Sequence, residues 1–329
     1  MTGIRMAGIK DQETVVGNQE VGMRPDIPAP DARSRPPRGL DHIVHAVRDL
    51  DAAGELYRRL GFMVGARNRH PPSWGTHNRI VQLPGFFIEL LTVAETLAIA
   101  PHSDRLFSFG AFNRDFLAKT EGLSMLALEG GDARAAAAAF RAATIGDFDV
   151  FDFERGATRP DGSVTKVAFS LAHARDPRAP DAAFFVCQQH YPENFWNPAF
   201  QDHPNTARAV AAVVLVAENP SDHHVFLSAF TGQRELLATS SGVNLRTPRG
   251  VIEVMDPAAY RSHFGVEPPD AAQGARLAAV RLAVRDFGVA ISTMQAAGIA
   301  ASVRMGRLIV PPQTAMGATL VFEVQSQTQ

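Results

Sequence analysis

The stretch GLDHIVHAVRDLDAAGELYRRLGF, Gly39–Phe62, decides how the fold is read. Its opening, DHIVHAV (41–47), alternates and is rich in β-branched residues, as a half-buried strand should be. Asp49 or Asp51 can cap a helix that follows at once. In that helix Leu56 and Leu60 fall on one stripe, and Gly61 ends it. FMVGAR (62–67) then reads as a second strand. NRIVQL (78–83) and FFIELLTV (86–93) read as two more, joined by the turn dipeptide Pro84-Gly85. The unit is βαβββ.

The unit recurs, and a recurring unit sets the architecture of the whole chain. A second copy runs from the strand GLSMLALEG (122–130) through the alanine-rich helix DARAAAAAFRAAT (132–144) and VFDFER (150–155). It continues through a turn at Pro160, Asp161 and Gly162 and closes on AAFFVCQQH (182–190). A third copy has the strand AVAAVVLVA (209–217), a helix over DHHVFLSAFTG (222–232) and a last strand in GVIEVMD (250–256). A fourth has ARLAAVRLAV (275–284), the helix DFGVAISTMQAAG (286–298) and ATLVFEV (318–324). The expected class is α+β, four βαβββ modules making two domains with curved, partly open mixed sheets. The polar, turn-rich NPAFQDHPNTA (197–207) divides an N-terminal domain, 39–200, from a C-terminal one, 207–325. Residues 1–38, with RPDIPAPDARSRPPR (24–38), are too polar and proline-rich to offset the entropy of ordering and read as a disordered tail.

Composition removes several function classes. Of the 329 residues 46% are hydrophobic and 20% charged, and the net charge is -2, so no bulk field draws nucleic acid or an anionic membrane. No basic stripe with interleaved aromatics is present. The apolar runs are too short to span a bilayer. Cys187 is the lone cysteine, so no internal disulfide forms, which fits a reducing compartment. A cytoplasmic protein, monomer or homodimer, is expected.

Four βαβββ units, the opening GLDHIVHAV and the strand FFIEL together resemble the vicinal oxygen chelate superfamily, which includes glyoxalase I, extradiol dioxygenases and antibiotic-resistance proteins. RHPPSWGTHNRIV (69–81) and TRPDG (158–162) are similar to its glyoxalase-like subgroup. The motifs cover 39–200; over 207–325 the resemblance rests on the unit pattern. It implies a divalent metal (Zn, Ni, Mn, Co or Fe) on the concave side of each paired sheet, held from the first and last strands of each unit. The matching positions are His42 and Glu89 in the first unit. The second offers Met125 and Cys187 instead of the usual donors, with His190 a third ligand if a bulge turns it inward. In the C-terminal half the first-strand positions are apolar, near Ala212 and Ala279, while Glu253 and Glu323 match Glu89. That half reads as structural, or as a lid or dimer partner.

Such a metal chelates two adjacent oxygens of a small organic substrate and stabilises an enolate-like intermediate, in a lyase or isomerase reaction. The runner-up is an Fe(II) ring-cleaving dioxygenase of the extradiol type, which wants two histidines and one carboxylate. A third reading is a non-catalytic small-molecule binding or resistance protein. Read on their own, His42 is also consistent with a strand histidine bonded to a neighbour, and Glu89 with an exposed strand face. The stiff loop RHPPSWGTHNR (69–79) makes Trp74, His77, Asn78 and Arg79, with His70, candidates for substrate contact, Arg79 as a bidentate clamp; an ordered surface turn is the alternative. CQQHYPENFWNPAF (187–200) supplies Gln189 and Trp196 as a pocket rim, His190 as ligand or general base, and Tyr191 as a donor to a developing oxyanion. Phe195 and Trp196 read equally as pins for the linker. His223 and His224 read as a solvated helix start.

Overall fold

The computed structural model describes residues 36–158 and 164–324, with Ala98, Ala157 and Thr158 described by backbone alone. The expected Pro160-Asp161-Gly162 turn and residues 1–35 of the expected tail lie outside the described residues. The first module contains β1 (Leu40–Ala46), α1 (Leu50–Arg59), β2 (Asn68–Arg69), β3 (Thr76–Leu83) and β4 (Phe86–Val93). A connecting helix α2 (Phe109–Lys119) leads to β5 (Gly122–Glu129), α3 (Ala133–Ala142), β6 (Phe151–Thr158), β7 (Val164–Ala174) and β8 (Ala183–Gln189). The short α4 (Pro192–Phe195) precedes β9 (Ala207–Val216), α5 (His224–Thr231), β10 (Leu236–Thr239), β11 (Gly242–Arg246) and β12 (Val251–Met255). A second connecting helix α6 (Pro257–Phe264) leads to β13 (Arg276–Val284), α7 (Phe287–Ala296), β14 (Ser302–Arg304), β15 (Arg307–Val310) and β16 (Thr319–Val324).

Each pair of modules makes one eight-stranded mixed sheet. The orders, β2-β3-β4-β1-β5-β8-β7-β6 and β10-β11-β12-β9-β13-β16-β15-β14, are the same arrangement used twice. β1 and β5 run antiparallel at the centre, and each pairs in parallel with the last strand of its own module. One of the two sheets curls into a half-barrel. Alternation puts Ile43, His45 and Val47 on the face toward the helices, and His42 and Val44 on the concave face. The helix-side residues of both sheets form one shared core that includes Ile43, Tyr57, Leu126, Val213, Leu282 and Phe322. His45 is buried there, its Nδ1 2.9 Å from the Tyr57 hydroxyl and its Nε2 3.0 Å from the Met316 carbonyl.

α1 begins where the sequence places it. Asp49 accepts from the amides of Asp51 and Ala52, a cap of about 1 kcal/mol. The expected strand over 62–67 does not form; only Asn68–Arg69 pair. Gly61 turns through a positive φ of 82° and sends Phe62 into the shared core. The Met63 amide then donates to His203 Nδ1 at 3.0 Å, and the Gly65 amide to the Ile80 carbonyl at 2.9 Å, so the backbone is satisfied without a ladder. The 197–207 segment is tied down by the same route: Asn205 Nδ2 donates to the Leu60 carbonyl at 2.8 Å. No helix among the described residues is long and apolar enough to cross a membrane.

Candidate functional site

The concave trough of the first sheet gathers the polar groups. On β1, His42 is 4% exposed, and its ring stacks on Phe87 at 4.2 Å. Strict alternation would turn Asp41 to the opposite face. The register between β1 and β5 slips between Leu40 and His42, and this bulge re-aims Asp41. Asp41 Oδ1 lies 2.5 Å from His42 Nδ1, and Gln189 Nε2 donates to Asp41 Oδ2 at 3.1 Å.

On β4, Glu89 pairs in register with Val44 of β1, so it stands next to His42 on the same face. His42 Nε2 is 3.9 Å from Glu89 Oε2. From the other side His70 Nε2 is 3.4 Å from Glu89 Oε1. Asn78 Nδ2 donates to Glu89 Oε1 at 2.5 Å and lies 3.1 Å from His70 Nε2. His70 Nδ1 is held by Thr76 Oγ1 at 2.9 Å. Burial pushes the His70 pKa down to about 4, so its ring is neutral at pH 7. Both imidazoles therefore have one nitrogen anchored and the other turned toward a single buried carboxylate.

Two glycines shape the cover over this cluster. Gly75 closes the Pro71–Trp74 turn with φ 62°, and a Cβ there would meet the Glu95 carbonyl at 2.3 Å. Gly110 lets α2 lie directly on that turn, since its Cβ would fall 2.0 Å from the Trp74 carbonyl oxygen. Trp74 consequently stacks on Phe109 at 4.2 Å, a pairing of about 0.5–1.5 kcal/mol. Beneath them is a cavity of about 50 Å³ walled by aromatic rings, including Phe153, Phe169, Phe185 and Phe195. Arg155 of β6 and Cys187 of β8 also line it. Burial lowers the Arg155 pKa while Glu89 opposes that shift. Burial, with Asp41 and Glu89 adding to it, raises the Cys187 thiol well above its usual range, so it is protonated and no nucleophile.

The structure brings His42, Glu89, His70, Asn78 and Trp74 together, with Gln189 reaching Asp41 at the edge, and leaves the other candidates elsewhere. His190 is exposed beyond the end of β8, its Nε2 2.7 Å from Ser170 Oγ, and no bulge turns it inward. Tyr191 is 37% exposed beside Lys166. Arg79 follows Asn78 on β3, so alternation sends it out, where it binds Asp51 at 2.8 Å and the Gly65 carbonyl. His77 bridges Arg67 and Glu95 on that same outer side. Trp196 packs edge-on to Phe87 at 5.9 Å, outside the lining, while its neighbour Phe195 lines the cavity. His223 is no solvated helix start: it is 3% exposed, with Nδ1 2.6 Å from Asp176 Oδ2. Asp41, Arg155 and α2 were not foreseen as parts of the site. The DH pair at 41–42 was the visible signal for Asp41; Arg155 lies on an alternating strand that carries none.

The second sheet repeats the register with different chemistry. Val214 pairs with Glu253 as Val44 pairs with Glu89, and Glu323 stands where Cys187 stands in the first sheet. Ala212 replaces His42. Arg281, opposite Ala212, fills the space between the carboxylates: it binds Glu253 through Nη1 and Glu323 through Nη2, at 2.7 and 3.0 Å to its two oxygens. A fixed guanidinium occupies the trough here.

The first trough suits a divalent metal. Two neutral-capable imidazoles and a carboxylate converge, each imidazole is oriented by a second group, and Asn78 Oδ1 is buried with no partner among the described residues. Asp41, His42 and Cys187 also bring donor atoms within 4.8 Å of one another. Of the expected set His42, Glu89 and His190, the first two converge, and the imidazole that joins them is that of His70, from the β2–β3 side, not that of His190.

A doubled βαβββ sheet with a His/Glu cluster in its trough defines a vicinal oxygen chelate protein. The model of the glyoxalase-like domain family matches residues 40–231, more than half of the chain, and the chain belongs to that family. Two solved structures share the fold. A hypothetical protein from Staphylococcus aureus is 13% identical with a TM-score of 0.61, over 88% of this chain and 100% of its own. A variant of 4-hydroxymandelate synthase from Streptomyces coelicolor is 12% identical with a TM-score of 0.53, over 89% and 95%. The sequence itself matches no curated protein.

Proposed function

We propose that the first trough is the active site of a divalent-metal-dependent enzyme acting on a small organic molecule with two adjacent oxygens, in a lyase or isomerase reaction. The observation that carries this is the approach of His42 Nε2 and His70 Nε2 to Glu89, at 3.9 and 3.4 Å. His42, His70 and Glu89 would hold the metal, which supplies a Lewis acid for the paired oxygens. Asp41 fixes the orientation of His42, and Thr76 that of His70. Arg155 offers a half-buried positive charge to a substrate oxyanion, the role expected of Tyr191. The aromatic walls exclude water and favour a flat substrate. The buried, unpaired Cys187 supports a reducing compartment such as the cytoplasm.

Metal analysis of purified wild type, His42→Ala and Glu89→Gln tests the reading. Wild type is expected to hold metal that both variants lose; equal trace metal in all three removes it. A second reading, Fe(II)-dependent ring cleavage, is favoured by the two-histidine, one-carboxylate donor set. Oxygen uptake with catechols after anaerobic Fe(II) loading separates the two. Thermal stabilisation by a ligand that survives chelator would instead favour a binding protein.

A further inference from the structure

A second, larger recess opens beside the same sheet, with Phe107 in its wall. Its volume is about 370 Å³, within the range of small-molecule sites and several times that of the metal cavity. The inner cavity is lined by Leu171 of β7 and Phe185 of β8; the recess is lined farther along both strands, by Ala174, Arg175 and Ala183. Between them stands one layer of rings. His173 stacks on Phe107 at 4.3 Å and tilts against Phe185 at 5.4 Å.

The recess has an aromatic floor and one unpaired cation, Arg175, on its rim. Phe107 meets Phe112 at 5.7 Å and Phe148 edge-on at 5.8 Å, so ring faces and edges are both offered to a ligand. Phe116 adds a fourth ring, with the Arg276 guanidinium over it at 5.7 Å. Two carboxylates line the recess, and both are already engaged. Asp181 binds Lys119 at 2.7 Å and Arg276 at 3.4 Å; Asp115 binds Arg114 at 2.8 Å. Arg175 is exposed and has no ion-pair partner among the described residues. Of the two lining cations Lys119 is spent on Asp181, and Asp115 is taken by Arg114 from outside the lining, so Arg175 is the uncompensated charge. Partial desolvation lowers the His102 pKa, its Nδ1 accepts from the Ser108 amide at 3.1 Å, and its Nε2 has no hydrogen-bond partner among the described residues. Behind the Phe107 wall, His173 Nε2 is buried with no partner among the described residues.

We infer that this recess is a binding site for a small aromatic carboxylate, its ring among Phe107, Phe112 and Phe148 and its carboxylate on Arg175. The inference goes beyond the metal-enzyme reading and does not rest on it. A flat ring gains from the phenyl floor, a single negative charge completes the rim, and a charge-assisted bond to a guanidinium fixes the orientation.

Calorimetric titration of the full chain with naphthoate, in the presence of chelator, tests it. Saturable binding is expected, weakened about tenfold or more in Arg175→Gln and for the uncharged alcohol analogue of naphthoate. Ala183→Trp, which fills the recess, should abolish it, and His42→Ala should leave it unchanged. Arg175 is exposed, so Arg175→Gln remains decisive should Ala183→Trp fail to fold. No saturable heat, equal affinity in wild type and Arg175→Gln, or loss in His42→Ala would each overturn the assignment, the last by placing the ligand in the inner cavity.

Discussion

Asp41 Oδ1 lies 2.5 Å from Nδ1 of His42, its neighbour in the chain, because a bulge in β1 folds both side chains toward one face. A carboxylate on Nδ1 fixes the ring orientation and leaves Nε2 as the free ligand atom. Asp41→Asn should therefore weaken divalent-metal affinity by about 10–100-fold while circular dichroism stays unchanged. Competition against a chromophoric chelator reads the affinity. Identical binding by wild type and variant would show that Asp41 plays no part in the site.

That bulge also marks where sequence reasoning stops. The four modules were legible because period-two strands, capped helices and turn glycines recur with the same spacing. His42 and Glu89 were legible through the family pattern, which names strand positions. Asp41 was hidden, since simple alternation sends it to the other face. Asn78 and Arg79 were both candidates, yet they are successive residues of one strand and only one can point inward. His70 was visible as a candidate, but its role depends on a turn geometry set by Gly75 and Thr76. His190 needed a bulge at the end of β8, and the ladder there continues to Ala168 instead. α2 has a modest apolar stripe, and its position depends on a contact with Trp74 that no local pattern encodes.

The contact between α2 and the Trp74 turn leaves no room for a side chain at Gly110. Gly110→Ala should force the helix outward and destabilise the protein by about 1–3 kcal/mol. Gly131 is the control, because a Cβ there meets nothing within 4 Å. Gly131→Ala should be neutral or slightly stabilising through the unfolded chain. Urea denaturation of the two variants measures the contrast, and similar stabilities would mean that α2 does not pack as described.

Arg281 holds Glu253 and Glu323 together where a cation would sit in the first sheet. All three side chains are at most 15% exposed, so the carboxylates are poorly screened. Arg281→Ala should cost about 3–5 kcal/mol by leaving the buried Glu253 uncompensated, while Glu323 keeps only Arg307 at 2.8 Å. Added Mn(II) should restore part of the loss in that variant and have no such effect at this sheet in wild type. Melting temperatures with and without the ion provide the readout. A second variant, Arg281→Met with Glu253→Gln and Glu323→Gln, should lose less than Arg281→Ala alone, since it removes the charges as a set.

Acid should act through buried histidines. Burial holds the His173 pKa at about 3, with His102 adding to the effect, against 6.5 for a free histidine. The folded value is the lower one, so on acidification the unfolded chain takes up the proton first. Stability is therefore complete above about pH 6.5 and is lost as pH falls from there toward 3. The slope is up to about 1.4 kcal/mol per pH unit for each such group. His70, at about 4, contributes in the same sense over the upper part of the window. His173→Phe removes one group and its unpartnered Nε2, and the new ring can stack on Phe107. Between pH 8 and pH 5 the variant should lose about 2 kcal/mol less than wild type. Denaturant midpoints at the two values decide it, and parallel losses would show that His173 is not buried neutral in the folded protein.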